Sequence, residues 1–305
     1  MSRILHRNRI HDMNQVNRST ESSLHSVTPL HLEESPNTAL LLAKAFFKTG
    51  NFKLGDSLPP LTAHWEGLSI DSNHLKRYNQ ICGFDSNRLP ATYLWVRSFP
   101  LIMSVLVSKQ FPLRAMGQVH LRNQITVHSP LDRDKNFSIS AAIDHSELTS
   151  KGLEWSMHIS VITDNQLIWS SRSTFLYRCD TGIERHSKPL NKPQGESISW
   201  DLPSDLGRRY ATISGDYNPI HLSALSAKMF GFKQAIAHGM WSKARCLAAM
   251  ESSIPEAGYS VDVNFLKPVH LPSKIKFYSD FSGSQCHFSL SNLSAEQLHL
   301  KGSIS

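Results

Sequence analysis

The chain of 305 residues is 40% hydrophobic and 19% charged, with a formal net charge of +7, a composition that excludes whole-chain disorder and allows one large domain or two. Its four cysteines, Cys82, Cys179, Cys246 and Cys286, lie far apart with no C-x-x-C pair, which excludes a dense disulfide scaffold and a zinc-finger spacing and fits a reducing, cytoplasmic compartment. Lys and Arg are scattered through both halves with no basic run interleaved with aromatics, so no nucleic-acid groove is expected and the charge reads as solvated surface.

In chain order, residues 1–36 are polar and aperiodic. The opening "MSRILHRNRIHDMNQVNRST" sets Arg3, Arg7, Arg9 and Arg18 against a single Asp12. An Arg-rich, acid-poor start suits an organelle transit peptide and with it a mitochondrial location. No sustained apolar helical face accompanies it, so a disordered tail is the reading adopted; residues 1–12 also read as sequence ahead of a start at Met13. "NTALLLAKAFFKTG" predicts a short amphipathic helix ended by Gly50. The most apolar runs, "TALLLAKAFF" and "FPLIMSVLV", reach about half of the ~20 residues that a membrane-spanning helix needs, so no span is expected.

From there the chain repeats itself. The first half runs through "HWEGLSIDSNHLKRYNQICGFDS", a helix in "FPLIMSVLV", "GQVHLRNQITVHSPL" and three further alternating strands. The second runs through "ESISWDLPSDLGRRYATISGDYN", a helix in "AIAHGMWSKARCLAAM", "YSVDVNFLKPVHLPS" and again three strands. Tyr78 with Cys82 and Gly83 matches Tyr210 with Ser214 and Gly215, and "VHLRNQITVHSP" matches "VDVNFLKPVHLP". One internal duplication explains the order in both halves. Between them "CDTGIERHSKPLNKPQGES" reads as a linker. The expected organisation is a tail over 1–36, a first half over 37–180, a linker over 181–195 and a second half over 196–305. One principal helix and several period-two strands per half predict an α+β fold of antiparallel sheets, with the halves joining edges into one continuous sheet.

The stretch "YATISGDYNPIHLSALSA", residues 210–227, places Asp216, Asn218, Pro219 and His221 within six positions. Gly215 and Pro219 exclude a regular helix through it, so it is a shaped loop. Asp216 offers an acceptor, His221 carries or releases a proton near neutral pH, and Asn218 tethers backbone with donor and acceptor. A carboxylate and an imidazole aimed at one point can hold a water and move its protons. The residue types alone equally describe a capped turn.

The wider pattern decides between them. Tyr210, Ile213, Ser214, Gly215, Asp216, Asn218, Pro219, Ile220, His221 and Ala227 together resemble the signature of the R-specific enoyl-CoA hydratases, the MaoC-like dehydratases. The resemblance spans residues from about 50 to 305 and is clearer in the second half. It implies a double hotdog, two bent antiparallel sheets each wrapping a central helix, and reversible syn hydration of a 2-enoyl thioester carried by coenzyme A or an acyl carrier protein, with no metal and no redox cofactor. It also implies that Asp216 and His221 form a dyad positioning the water, and that Asn218 and Ser214 shape their loop. Gly239 then supplies a backbone N–H to the thioester oxygen, a role that a helix N-terminus suits physically.

Substrate contacts are expected from Tyr210 and His238, though a histidine near a helix start is more often structural. Phosphates of the carrier arm need cations near the mouth; Lys267 is placed there by resemblance, and Arg208, Arg209, Lys243 and Arg245 are candidates by sequence proximity alone. The first half reads as degenerate. Asp85 stands in the place of Asp216 with no N-P-x-H after it, about eight residues are missing before the central helix, and Phe99 and Pro100 stand at that helix's start, where proline has no N–H to offer. Its apolar positions Leu101, Ile102, Val105 and Leu106 are expected along an acyl-binding face. Two other readings are a hotdog thioesterase, which releases free thiol, and a non-catalytic acyl-binding protein. The working unit is expected to be a monomer or a homodimer of double hotdogs.

Overall fold

The computed structural model describes residues 29–32, 36–85, 88–184, 192–283 and 285–305; the Arg-rich opening of the chain lies outside the described residues. The first repeat holds β2 (Thr62–Leu68), α2 (Ser72–Cys82), α3 (Ala91–Val107), β3 (Val119–Val127), β4 (Phe137–Thr149), β5 (Gly152–Thr163) and β6 (Gln166–Tyr177). The second holds β7 (Glu196–Leu202), α4 (Leu206–Ser214), α5 (Ala224–Lys228), α6 (Gly239–Ala249), β8 (Tyr259–Phe265), β9 (Ser273–Ser282), β10 (Gln285–Asn292) and β11 (Leu298–Ile304). Ahead of both stand β1 (Leu30–Leu32) and α1 (Thr38–Phe47).

All the strands form one sheet in the order β1-β2-β4-β5-β6-β3-β8-β11-β10-β9-β7. The two repeats are mirrored about the antiparallel β3–β8 seam, where Arg122 faces Asn264 and Val127 faces Tyr259. Alternating sequence sets the register along each strand, and turn chemistry fixes it at the ends. Between β5 and β6, Asp164 and Asn165 both take positive φ (50° and 60°), which lets a two-residue turn close the hairpin between Thr163 and Gln166. The fold is a double hotdog, with α3 and α6 wrapped by the sheet. Being enclosed, α3 buries nearly every side chain from Ala91 to Leu106, which is why its sequence is apolar all round.

Three expectations are corrected. The first helix ends at Phe47, with Lys48 extended. Gly50 lies beyond it, where a Cβ would come 2.8 Å from the Arg114 nitrogen and the Pro112 oxygen; it is a close backbone crossing and not a cap. The central helix of the first half begins at Ala91, after Pro90, with Pro100 inside it, because enclosure by the sheet outweighs the lost hydrogen bond. Finally, Leu30–Leu32, within the stretch read as a tail, pairs in parallel with β2.

Candidate active site

The loop after α4 is built by caps. Gly215 ends that helix in the left-handed region (φ 73°), as Gly83 ends α2 (φ 80°), conformations that glycine adopts freely. The Asp216 N–H donates to Ser214 Oγ (3.2 Å), the Asn218 N–H to Asp216 Oδ1 (3.2 Å), and the Ile220 N–H to Asn218 Oδ1 (3.4 Å). Pro219 then starts a short 3₁₀ turn ending at His221, whose ring is buried. A Cβ on Gly207 would collide with the His221 carbonyl oxygen, so that glycine lets α4 lie against the loop.

His221 donates Nδ1–H to the Ile236 carbonyl at 2.7 Å, which leaves Nε2 as the acceptor. His238 donates Nε2–H to the Asp216 carbonyl at 2.9 Å, and its ring stacks on His221 at 3.6 Å. Tyr210 is buried with its ring 4.9 Å from that of His238. His238 thus packs directly on His221, with Tyr210 next to it, and both border the cavity. Burial raises the Asp216 pKa, against the opposing pull of His221 and of the Asn218 N–H. Burial also lowers that of His221, against the opposing effects of Asp216 and the Ile236 carbonyl. Both groups are moved toward their neutral forms.

Asp216, His221 and His238 bring one ligand-type atom each within 4.8 Å of one another. The two imidazoles are stacked 3.6 Å apart and only 24° from parallel, so no nearby point lies in both ring planes, as a metal ion bound by both in-plane lone pairs needs.

Gly239 is the first residue of α6, with His238 at its cap, and the first turn of a helix presents N–H groups without intrahelical partners. A Cβ there would come 3.1 Å from the Phe265 ring. Asp216, His221 and Gly239 share one cavity of about 310 Å³, which runs into the first half past Trp95, Phe99, Ile102 and Leu106. Leu101 and Val105 are fully buried on the other side of α3 and do not border it.

Lys267 borders the cavity and is exposed. The other four cations do not reach it. Lys243 is wholly buried and donates to Asn123 Oδ1 (2.6 Å), the Asn123 carbonyl (2.9 Å) and the Val261 carbonyl (3.0 Å). Arg245 lies over the Trp200 ring at 4.6 Å. Arg208 donates to the Leu222 carbonyl, and it and Arg209 border a separate surface hollow.

In the first half Asp85 is exposed, its N–H donating to Glu251 Oε2 at 3.0 Å. It stands six positions before Ala91, whereas Asp216 stands 23 before Gly239. The deficit is thus 17 residues, not about eight, and what is missing is the 3₁₀ turn, α5 and the strand-like passage to the helix. Sequence reasoning did not find Leu42, His120 and Arg178, which also border the cavity. His120 belongs to the very run that matched between the repeats, and that match was the available signal.

The fold and site define a double-hotdog enzyme with a carboxylate and imidazole at the start of its second central helix. Residues 185–301 match the family model of the MaoC like domain. The chain is 31% identical over 255 residues to 3-hydroxyacyl-thioester dehydratase X of Mycobacterium tuberculosis, covering 82% of this chain and 90% of that one. A crystal structure of HtdX from the same organism superposes with a TM-score of 0.70 at 30% identity, over 80% of this chain and 98% of that one. A MaoC-like dehydratase from Phytophthora capsici shares the fold, with a TM-score of 0.63 at 18% identity over 83% of this chain and 98% of that one. A mitochondrial 3-hydroxyacyl-[acyl-carrier-protein] dehydratase of Arabidopsis thaliana is 32% identical over 69 residues, 22% of this chain and 42% of that one. The chain belongs to the MaoC-like dehydratase family and is an enzyme of the hydro-lyase class.

Proposed function

We propose that the protein catalyses the reversible dehydration of (R)-3-hydroxyacyl thioesters to trans-2-enoyl thioesters, with Asp216 and His221 as the acid–base pair. The observation that carries this is their meeting at the N-terminus of α6, at one end of an otherwise mainly apolar cavity. In dehydration neutral His221 takes the proton beside the carbonyl on Nε2, and the Asp216 carboxyl gives its proton to the departing hydroxyl, which leaves as water. The pair ends as imidazolium and carboxylate, so its net charge is unchanged. Hydration runs the same transfers backward. The charge that builds on the thioester oxygen faces the Gly239 N–H at the positive end of the helix. Ser214 and Asn218 hold the loop, and His238 and Tyr210 act as support for the pair.

The names of the relatives support an acyl thioester as substrate, borne by coenzyme A or an acyl carrier protein. All four cysteines are free thiols, and no helix among the described residues is long and apolar enough to cross a membrane; a cytoplasmic location is the reading adopted, with the mitochondrion as the alternative. The test is hydration of a chain-length series of enoyl-CoA thioesters with the product's configuration determined. The expected product is the R-3-hydroxyacyl thioester with the thioester intact. Release of free thiol would move the assignment to a thioesterase, and an S product would overturn the stereochemistry.

A further inference from the structure

Among the described residues that border the catalytic cavity, three are exposed: Arg178, Lys267 and Pro268. They therefore mark its mouth. Both charged members are cations, and among the described residues the only acidic one on the cavity wall is Asp216, which is partly buried. Sheet register explains why Arg178 and Lys267 come to one opening although they belong to different repeats. Val119 faces Leu176 across the β3–β6 pair, which sets Arg178 just past the end of β6. Across the seam the His120 ring lies 5.0 Å from that of Phe265, two residues before Lys267. Arg178 and Lys267 thus leave the sheet at the same end, on either side of β3. No carboxylate among the described residues forms an ion pair with either of them.

We infer that Arg178, from the half without the acid–base pair, joins Lys267 in a two-cation clamp on a phosphate of the thioester's carrier arm. A thioester whose reacting carbons sit at Asp216 and His221 must send its carrier out through this mouth, and a guanidinium pairs with phosphate oxygens by two parallel hydrogen bonds while an ammonium adds a compact charge. The inference rests on the thioester reading above. It gives the first half a part in gripping the carrier as well as in housing the acyl tail.

The test compares wild type with R178A, K267A and the double variant on four enoyl thioesters of one chain length: on N-acetylcysteamine, which has no phosphate, on 4′-phosphopantetheine, on coenzyme A, and on an acyl carrier protein. R133A, a surface arginine outside the cavity, controls for net charge. The expected result is a KM raised about five- to tenfold by R178A on phosphate-bearing substrates, with kcat within about twofold, and a penalty that shrinks with added salt. A penalty on phosphopantetheine, coenzyme A and the carrier protein alike assigns the clamp to the phosphate next to pantetheine. One confined to coenzyme A assigns it to the nucleotide phosphates. A penalty of equal size on N-acetylcysteamine, none on any phosphate-bearing substrate, or one matched by R133A overturns the clamp. Calorimetric binding of coenzyme A to wild type and R178A gives a readout without turnover. If wild type converts no thioester yet binds coenzyme A more tightly than R178A does, the dehydratase reading falls and the clamp stands.

Discussion

Free in water an aspartate and a histidine that share one proton settle as carboxylate and imidazolium, whereas burial of Asp216 and His221 favours the neutral form of each. The two ways of placing a single proton on the pair are thereby brought closer in energy, which suits a reversible reaction that starts from one arrangement and ends in the other. Activity should follow a bell in pH: adding a second proton to the pair removes the base on the acid side, and removing the last proton removes the acid on the alkaline side. A pH profile of kcat/KM without an acid limb would contradict the assignment. Asp216→Asn and His221→Ala should each lower kcat by ~10²–10⁴-fold with circular dichroism unchanged, while Asp85→Asn, on an exposed side chain, should stay within a few-fold. Gly239→Val should cost more in kcat than in melting temperature. Its side chain would displace the Phe265 ring beside the helix start and with it the thioester carbonyl, so unchanged turnover would remove Gly239 from the oxyanion role.

At the scale of single elements, α3 divides into two faces that the sequence did not separate. Its hydrophobicity was legible, but an all-apolar helix carries no period to tell a cavity wall from a core, and Pro100 invited a start at Phe99, eight residues too late. The structure puts Ile102 and Leu106 on the cavity and leaves Leu101 and Val105 fully buried away from it. Enlarging a cavity-facing residue, as in Ile102→Phe, should therefore lower kcat/KM for long acyl chains relative to short ones by tenfold or so, since each buried methylene is worth ~0.8 kcal/mol. Val105→Trp should instead cost roughly 1–3 kcal/mol of stability without changing that ratio. Rates on short and long enoyl thioesters at matched folded fraction separate the outcomes. An unchanged ratio for Ile102→Phe would confine the acyl pocket to the second half.

For the whole molecule, the duplication was readable because each repeat kept its tyrosine, helix cap and strand order, and the loop at Asp216 was readable because its residues are consecutive. What could not be read were partnerships made by register across the seam, such as Arg178 with Lys267, or Lys243 with Asn123. Lys243 is a phosphate candidate by sequence proximity, yet three acceptors surround its Nζ, one for each proton of an ammonium. Asn123 in turn donates to Ser171 Oγ and Ser173 Oγ. Burial pulls the Lys243 pKa down, so the charge is tolerated only because the hydrogen bonds are complete. This network pins the second central helix to the strand contributed by the first repeat, and it should make the two halves unfold together. Thermal unfolding followed by Trp fluorescence and by far-ultraviolet dichroism should give one coincident transition. Lys243→Met should lower stability by about 1–3 kcal/mol, because three buried acceptors lose their donor. Adding Asn123→Leu should cost less than the sum of the single changes, because it removes the side-chain Oδ1 that Lys243→Met leaves without a donor. Additive losses, or two separate transitions already in the wild type, would mean that the seam joins two independently stable halves.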